Sequence, residues 1–149
     1  MKVYRHATIY ERRGSLYIRS SSQTDVGLWL EQGPCILLSA DSAPDAIGEA
    51  TRSALADSGS IIPHPTEWTS VDLDNPILEM AGIRRWSAFR RGSLSVGVWQ
   101  GDGKLEITPS VNEGSQGFAH LDDDTLHLPA DASADALGTA INKALKCCK

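Results

Sequence analysis

Two histidines near the end of the sequence, His120 and His127, have the side chains best suited to chemistry. We predict that 118–128 forms a hairpin whose tip is the acidic run Asp122–Asp124 and whose cross-strand pairing places the two imidazoles opposite each other. Imidazoles close to carboxylates can bind a divalent metal ion or transfer protons. Only two ligands converge there, however, and no spacing in the sequence fixes a third. A solvated hairpin face is the simpler interpretation, and we predict no metal, no cofactor and no catalytic residue.

Other motifs give weaker indications of chemistry. The sequence contains no Gly-x-Ser-x-Gly nucleophile motif, and the segment 101–103 lacks the lysine of a phosphate-binding loop, so it predicts a tight turn. The stretch 84–91 mixes arginines with Trp86 and Phe89, a combination that can stack on single-stranded nucleic acid. A formal net charge of −5 opposes phosphate binding, and both aromatic residues are more simply explained as core or partner contacts. We therefore expect no nucleic acid partner.

Acidic side chains in the second half of the chain form the candidate binding site. They lie in a predicted turn, in the loop 110–117 and at the predicted hairpin tip, which could meet at one end of a sheet. Such a surface would attract a basic partner and speed its capture. The candidates are Asp102, Glu113, Asp122, Asp123 and Asp124.

An internal repeat predicts the architecture. The pentapeptide Arg-Arg-Gly-Ser-Leu occurs at 12–16 and again at 90–94, which is 78 residues later. The segment 38–55 matches 128–145 without gaps, with nine identities in 18 positions at a spacing of 90 residues. The difference between the two spacings, 90 − 78, indicates 12 additional residues in the second copy.

Each copy is predicted to be a meander of antiparallel strands closed by one helix. We predict a single α+β domain in which the two units are related by approximate two-fold symmetry. The first unit covers 1–58, a connector covers 59–82 and the second unit covers 83–149. The predicted strands are 3–10, 15–21, 26–30 and 35–39, then 83–89, 94–100, 104–111, 118–121 and 126–128. A short helix is expected from Asn75 to Met80 in the connector.

The two closing helices show start signals and a continuous apolar stripe. Gly48 and Gly138 lie beside the stripes although glycine costs about 1 kcal/mol of helix propensity. They predict a close approach of each helix to its sheet, or of the two helices to each other. The residues with start signals are Asp41 and Ser42 for the first helix and Asp131, Ser133 and Asp135 for the second.

Length and composition fit one globular domain. The chain has 149 residues, of which 41% are apolar and 22% charged. No run approaches the roughly 20 apolar residues of a membrane-spanning helix, and no secretory signal follows the first residues. Cys35, Cys147 and Cys148 form neither a zinc spacing nor an even disulfide framework. We expect a cytoplasmic protein with no membrane partner, and the composition favours no particular oligomeric state.

The segment 128–141, LPADASADALGTAI, followed by Ala144 and Leu145, resembles the helix-opening signature of immunity proteins from bacterial contact-dependent growth inhibition (CDI) systems. The resemblance implies a cytosolic protein that neutralises the toxic C-terminal domain of a cognate surface effector, usually a nuclease, by tight binding. It supplies no catalytic residues, and the signature itself is explained by a helix cap and a packing face.

We therefore predict a non-enzymatic toxin inhibitor whose partner is a cognate toxin domain. Two alternatives stay open. One is a small hydrolase or metal-dependent enzyme that uses His120 and His127. The other is a chaperone-like binding module for a secreted effector.

Overall fold

Segments with alternating apolar and polar residues form the strands of one antiparallel sheet, and segments with a helical apolar period form the helices that cover it. The computed structural model describes residues 4–66 and 75–149. The strands are β1 (Arg5–Arg12), β2 (Ser15–Gln23), β3 (Trp29–Ser39), β4 (Leu94–Gly101), β5 (Lys104–Asn112), β6 (Phe118–His120) and β7 (Leu126–Pro129). The helices are α1 (Pro44–Asp57), α2 (Pro76–Ala81), α3 (Trp86–Arg90) and α4 (Ala134–Cys147).

The sheet has the strand order β3-β2-β1-β4-β5, and both β6 and β7 pair with the outer edge of β5. The two meanders are joined through β1 and β4, which pair from Arg5 with Gln100 to Glu11 with Leu94. They therefore form a single seven-stranded sheet, and the predicted α+β class is confirmed. None of the helices within the described ranges combines the length and the apolar content needed to cross a membrane.

One face of the sheet is covered by α1 and α4 and holds the main core. The opposite face is covered at one end by α2 and α3. There, Phe89 of α3 packs against Tyr10 and Tyr17. The rest of that opposite face, which we call the open face, presents His6, Gly97, Trp99, Glu106 and Thr108, because side chains alternate along each strand. The main core contains Ala7, Ile9, Leu16, Ile18, Ile47, Leu55, Val96, Val98, Leu105, Ile107, Leu137 and Ile141.

The two long helices cross at their glycines. A Cβ atom on Gly48 would lie 2.8 Å from the Cα of Ala134, and one on Gly138 would lie 2.8 Å from the Cα of Pro44. Each glycine thus packs on the first turn of the other helix. Of the two explanations offered by the sequence, helix-to-helix approach is the correct one.

The spacing between matching elements is nearly constant along the chain. Shifting β1 and β2 by 89 residues gives the starts of β4 and β5, and shifting α1 by 90 gives 134–147, the bounds of α4. The pentapeptide does not follow this shift, because its first copy forms the β1–β2 turn and its second lies between α3 and β4. The inferred 12 additional residues were therefore wrong. We propose that β1–α1 and β4–α4 are the related units and keep their two-fold relation as a proposal.

The connector and the start of the second unit differ in part from the prediction. The short helix is confirmed, with the Asn75 side chain accepting a hydrogen bond from the Ile77 amide at 3.0 Å. The predicted strand 83–89 was wrong. Gly82, at φ +68°, ends α2, and Trp86 and Phe89 then stack on each other from one face of α3. The two aromatic side chains are three residues apart, a spacing that places them on one face of a helix, so this spacing indicated α3.

Two further predictions in the first unit were wrong. The end of the segment 26–30 and the whole of 35–39 belong to one strand, β3, because its pairing with β2 continues past an irregularity that accommodates Gly33 and Pro34, whereas 26–28 precede the strand in a turn. At α1 the N-cap is Ala43, with no side-chain cap, since the Asp41 carboxylate accepts a hydrogen bond from Ser39 instead. The prediction for α4 is confirmed at Ser133, whose hydroxyl accepts a hydrogen bond from the Ala136 amide at 3.1 Å. The start of the predicted strand 3–10 lies partly outside the described residues.

Candidate functional site

His120 and His127 lie on separate strands that both pair with β5. His120 is opposite Ser110 and His127 is opposite Glu106, so the two are four residues apart along β5, or roughly 14 Å at about 3.4 Å per residue. The predicted hairpin was therefore wrong. The amide of Leu121 donates to the Pro109 carbonyl at 2.9 Å, and this bond holds the chain against β5 and prevents β6 from turning back on itself.

The acidic run forms an exposed 3₁₀ turn, Asp122–Asp124, between β6 and β7. Beside it lies a cleft of about 310 Å³ on the open face. Thr108 and Thr125 share a hydrogen bond of 2.8 Å at its base. The cleft is lined by Trp99, Glu106, Thr108, His120, Asp122, Thr125 and His127.

Of the two histidines, His127 is the one paired with an acidic side chain among the described residues. The Nδ1 atom of His127 is 3.9 Å from an Oε1 of Glu106, and the two side chains are 63% and 46% exposed, so the pair contributes little to stability. Among residues 4–66 and 75–149, no group of three or more histidine, cysteine or acidic side chains could hold a metal ion. Because Glu106 and Asp122 line the cleft, it is suited to non-covalent binding of basic groups.

A second cavity of about 250 Å³ adjoins this cleft and shares Trp99 and Glu106 with it. Asp102 lies on its rim, in the β4–β5 turn, where its Oδ2 accepts a hydrogen bond from the Tyr4 hydroxyl at 3.2 Å. Asp102 and Asp122 therefore flank Trp99 and Glu106 from two sides.

The five predicted acidic residues are all exposed, but they do not meet at one end of the sheet. Asp102 and Glu113 lie beyond opposite ends of β5, whose nine residues span roughly 27 Å at about 3.4 Å per residue. The turn Asp122–Asp124 lies beside the middle of that strand. Asp102 and Asp122 thus share one surface around Trp99, and Glu113 lies at the far margin.

Aromatic rings occupy the centre of this surface, which sequence reasoning missed. Trp29 and Trp99 are half-buried and meet edge to face, with centroids 5.0 Å apart at 87°. The ring of His6 lies 4.1 Å from Trp99 and 6.2 Å from Trp29. A signal was present in the alternation of β1 and β4, since His6 and Trp99 both fall on the face opposite the buried Ala7 and Val98.

His6 is held in the neutral form. Burial, reinforced by the charge of His120, lowers its pKa to about 4 from the ordinary 6.5. Both ring nitrogens are buried and have no hydrogen-bond partner among the described residues. Gly97 makes room for the ring, because a Cβ there would lie 3.4 Å from the His6 Nε2 atom.

This burial predicts a pH-dependent stability. Below pH 6.5 the unfolded chain takes up a proton at His6 that the folded chain does not accept until about pH 4. The free energy of unfolding should therefore fall by about 2 kcal/mol between pH 7 and pH 5 through this residue alone. In a His6→Phe variant, which keeps an aromatic contact with Trp99, this part of the fall should disappear. Urea denaturation of both proteins across that range measures the difference.

The pH experiment has an internal control. Glu31, whose pKa burial raises, is present in both proteins, so its effect cancels in the difference. A His127→Gln variant retains His6 and should keep the wild-type fall. Parallel pH profiles for wild type and His6→Phe would contradict the assignment of the fall to His6.

Comparison with known proteins identifies the family. The family model of CDI immunity proteins matches residues 5–148. Comparison with curated proteins gives no significant match. A protein of unknown function from Neisseria meningitidis shares the fold, with a TM-score of 0.79 and 20% identity over 98% of this chain and 96% of that chain.

A second solved structure with this fold is a CdiA-CT/CdiI toxin and immunity complex from Yersinia pseudotuberculosis. The TM-score is 0.76, with 18% identity over 100% of both chains. The resemblance noted in the segment 128–141 is thus confirmed by a match over nearly the whole chain. The protein belongs to the family of CDI immunity proteins and is a toxin-neutralising immunity protein.

Proposed function

We propose that this protein neutralises its toxin by binding the toxin's C-terminal domain through the open face around Trp99, with the acidic residues at the margin. The observation that carries the proposal is the pair of half-buried tryptophans framed by Asp102, Glu106 and the turn Asp122–Asp124. The Yersinia structure supports the choice of partner, because it is a complex between a toxin and an immunity protein of this fold.

The composition of the surface suits a high-affinity interface. Tryptophan is enriched among residues that dominate binding energy, and such residues lie near the centre of an interface with polar residues around them. An interface of about 800 Å² per partner is roughly 30 Å across. Centred near β5, it can include Asp102, the turn Asp122–Asp124 and Glu113, which we keep as the proposed toxin contacts.

The acidic margin supports a basic toxin surface as the target. Complementary charge increases the association rate and excludes partners of the wrong sign. A nuclease is the class that fits best, since an enzyme that binds nucleic acid phosphates presents basic side chains at its active site. Occlusion of that surface requires no catalysis by the immunity protein, so we propose a purely binding role.

The cysteines support a cytoplasmic site of action. Cys35 is buried, Cys147 and Cys148 are not, and all three are free thiols. Burial raises the pKa of the Cys35 thiol to about 11, which keeps it protonated and unreactive. Free thiols persist in the reducing cytoplasm.

Trp99 provides the direct test of the proposal. A Trp99→Ala variant should weaken the complex with the cognate toxin domain about a hundredfold or more, because the removed ring lies at the proposed centre. Calorimetric titration measures the dissociation constant, and survival of cells that co-express toxin and variant reports neutralisation.

A matched variant locates the surface. Leu37 is also a large apolar side chain and is 44% exposed, but it lies near the end of β3 that is remote from Trp29 and from the tryptophan pair. Leu37→Ala should bind and protect like the wild type. Loss of binding with Leu37→Ala and not with Trp99→Ala would place the toxin at the β3 edge and refute the open-face proposal.

A further inference from the structure

We propose that the arginines of the two Arg-Arg-Gly segments form a binding site for a small oligophosphate anion, separate from the toxin surface. The site lies at the end of the sheet opposite Asp102. Arg12, Arg13 and Arg91 line it, and Arg90 adjoins them in the sequence.

The sheet register brings the two segments together. β1 and β4 are antiparallel neighbours, and their last pair at this end joins Glu11 to Leu94. After Glu11 come Arg12, the last residue of β1, and Arg13 in the β1–β2 turn, and just before β4 come Arg91, Gly92 and Ser93. The two copies of the pentapeptide occupy non-equivalent positions in the fold, yet they meet at one place.

A cavity of about 470 Å³ lies where they meet. Its lining residues are Arg12, Arg13, Ala88, Arg91 and Gly92, so three arginines and no acidic residue line it. Within the part of the chain that the structure describes, none of the four arginines is ion-paired with an acidic side chain. The lining of this cavity is thus positively charged, although the chain as a whole carries a formal net charge of −5.

Two arginine donors at this site lack an acceptor. The Nε atoms of Arg12 and Arg90 are buried and have no hydrogen-bond partner among the described residues. A buried donor without a partner costs about 1–3 kcal/mol. The Arg12 guanidinium is also positioned by the ring of Phe89, 5.8 Å away. A bound anion would supply the missing acceptor to Arg12, whose side chain lines the cavity and is already held in place by Phe89.

The chemistry of the lining favours oligophosphate over other anions. Guanidinium groups donate pairs of parallel hydrogen bonds that match phosphate oxygens, and three of them match a ligand with several negative charges better than a single carboxylate. The volume is in the range of small-molecule sites, about 300–1,000 Å³. The lining offers no aromatic face for base stacking, which argues against single-stranded nucleic acid as the ligand.

Calorimetric titration with inorganic tripolyphosphate and with ATP tests the site at low salt. We expect dissociation constants of about 0.1 mM or tighter for tripolyphosphate, which corresponds to several charge-assisted hydrogen bonds. Equal affinity for both would identify the phosphate chain alone as the recognised group, and tighter binding of ATP would add a nucleoside contact. Both results support the proposal.

Paired variants make the test specific. Arg13 and Arg91 are exposed, so Arg13→Gln with Arg91→Gln should leave the fold intact and weaken binding at least about tenfold. Lys104→Gln with Lys143→Gln removes the same charge from exposed positions elsewhere and should leave the affinity unchanged. No binding of either anion by the wild type, or equal losses in both double variants, would overturn the proposal. Toxin binding by the arginine variant should be normal, which separates this site from the open face.

Discussion

Replacing Gly48 with alanine should destabilise the protein by about 2–3 kcal/mol, although the same change in an isolated helix would stabilise it by about 1 kcal/mol. The new Cβ would lie 2.8 Å from the Cα of Ala134 and closer still to its carbonyl group. These are backbone atoms at the start of α4, so no side-chain rotation relieves the contact and the helices must separate. Denaturation in urea, with the midpoint and slope of the transition, measures the change.

The reciprocal contact of Gly138 with Pro44 makes a stronger test available. Gly138→Ala should cost a similar amount, and the double variant should cost less than the sum, because one separation of the helices accommodates both Cβ atoms. Thr139→Ala changes an exposed neighbour on the same helix and should be neutral or slightly stabilising. If Gly48→Ala stabilised the protein instead, the helices would not be in the close contact described here.

The helices and the inner strands could be predicted because each carries a local signal that tertiary contacts reinforce. The period of apolar residues in α1 and α4 is visible in the sequence, and so is the presence of Gly48 and Gly138 where larger residues would be preferred. Which surface the glycines meet was not predictable, because it depends on how the two meanders join. That junction is the pairing of β1 with β4, between segments about 90 residues apart.

The outer elements were predicted less well because their local signals allow two outcomes. The segments β6 and β7 each alternate as strands do, and the acidic turn between them fits a hairpin tip. Instead of pairing with each other, both strands pair with the outer edge of β5. That strand is long enough for β6 and β7 to pair with successive parts of it. The pentapeptide gave a wrong alignment of the two copies for a similar reason. Its five identical residues form a hairpin turn in the first copy and a helix-to-strand connection in the second.

The acidic residues of the candidate site could be proposed from the sequence, whereas the tryptophans between them could not. Asp102 and the turn Asp122–Asp124 are conspicuous in sequence because acidic side chains are solvated wherever they lie. Trp29 and Trp99 come from strands that are far apart in the chain, and only the sheet order brings their rings to 5.0 Å. A tryptophan in a strand is equally compatible with a core position, so exposure had to come from the structure.

Reversing the charge of the acidic turn should strongly weaken toxin binding. In a variant with Asp122→Lys and Asp124→Lys, the affinity for the toxin domain should fall about a hundredfold or more, mainly through slower association at low salt. These side chains are exposed and cap no long helix, so the fold should be unaffected. Replacing Asp122, Asp123 and Asp124 with Asn removes the charge without reversing it and should give an intermediate loss. Stopped-flow association rates across a salt series, with survival of toxin-expressing cells, provide the measurement.

The position of the charge, and not its total, decides this prediction. A variant with Glu49→Lys and Asp57→Lys makes the same change in net charge on α1, which covers the opposite face of the sheet, so it should bind almost normally. Equal losses of affinity in both variants would mean that toxin binding depends on the net charge of the immunity protein and that the turn has no special role. Glu113→Lys then measures the extent of the interface. A loss there as large as that of the turn would centre the contact on the far end of β5, and a loss confined to Asp122 and Asp124 would restrict it to the surface around Trp99.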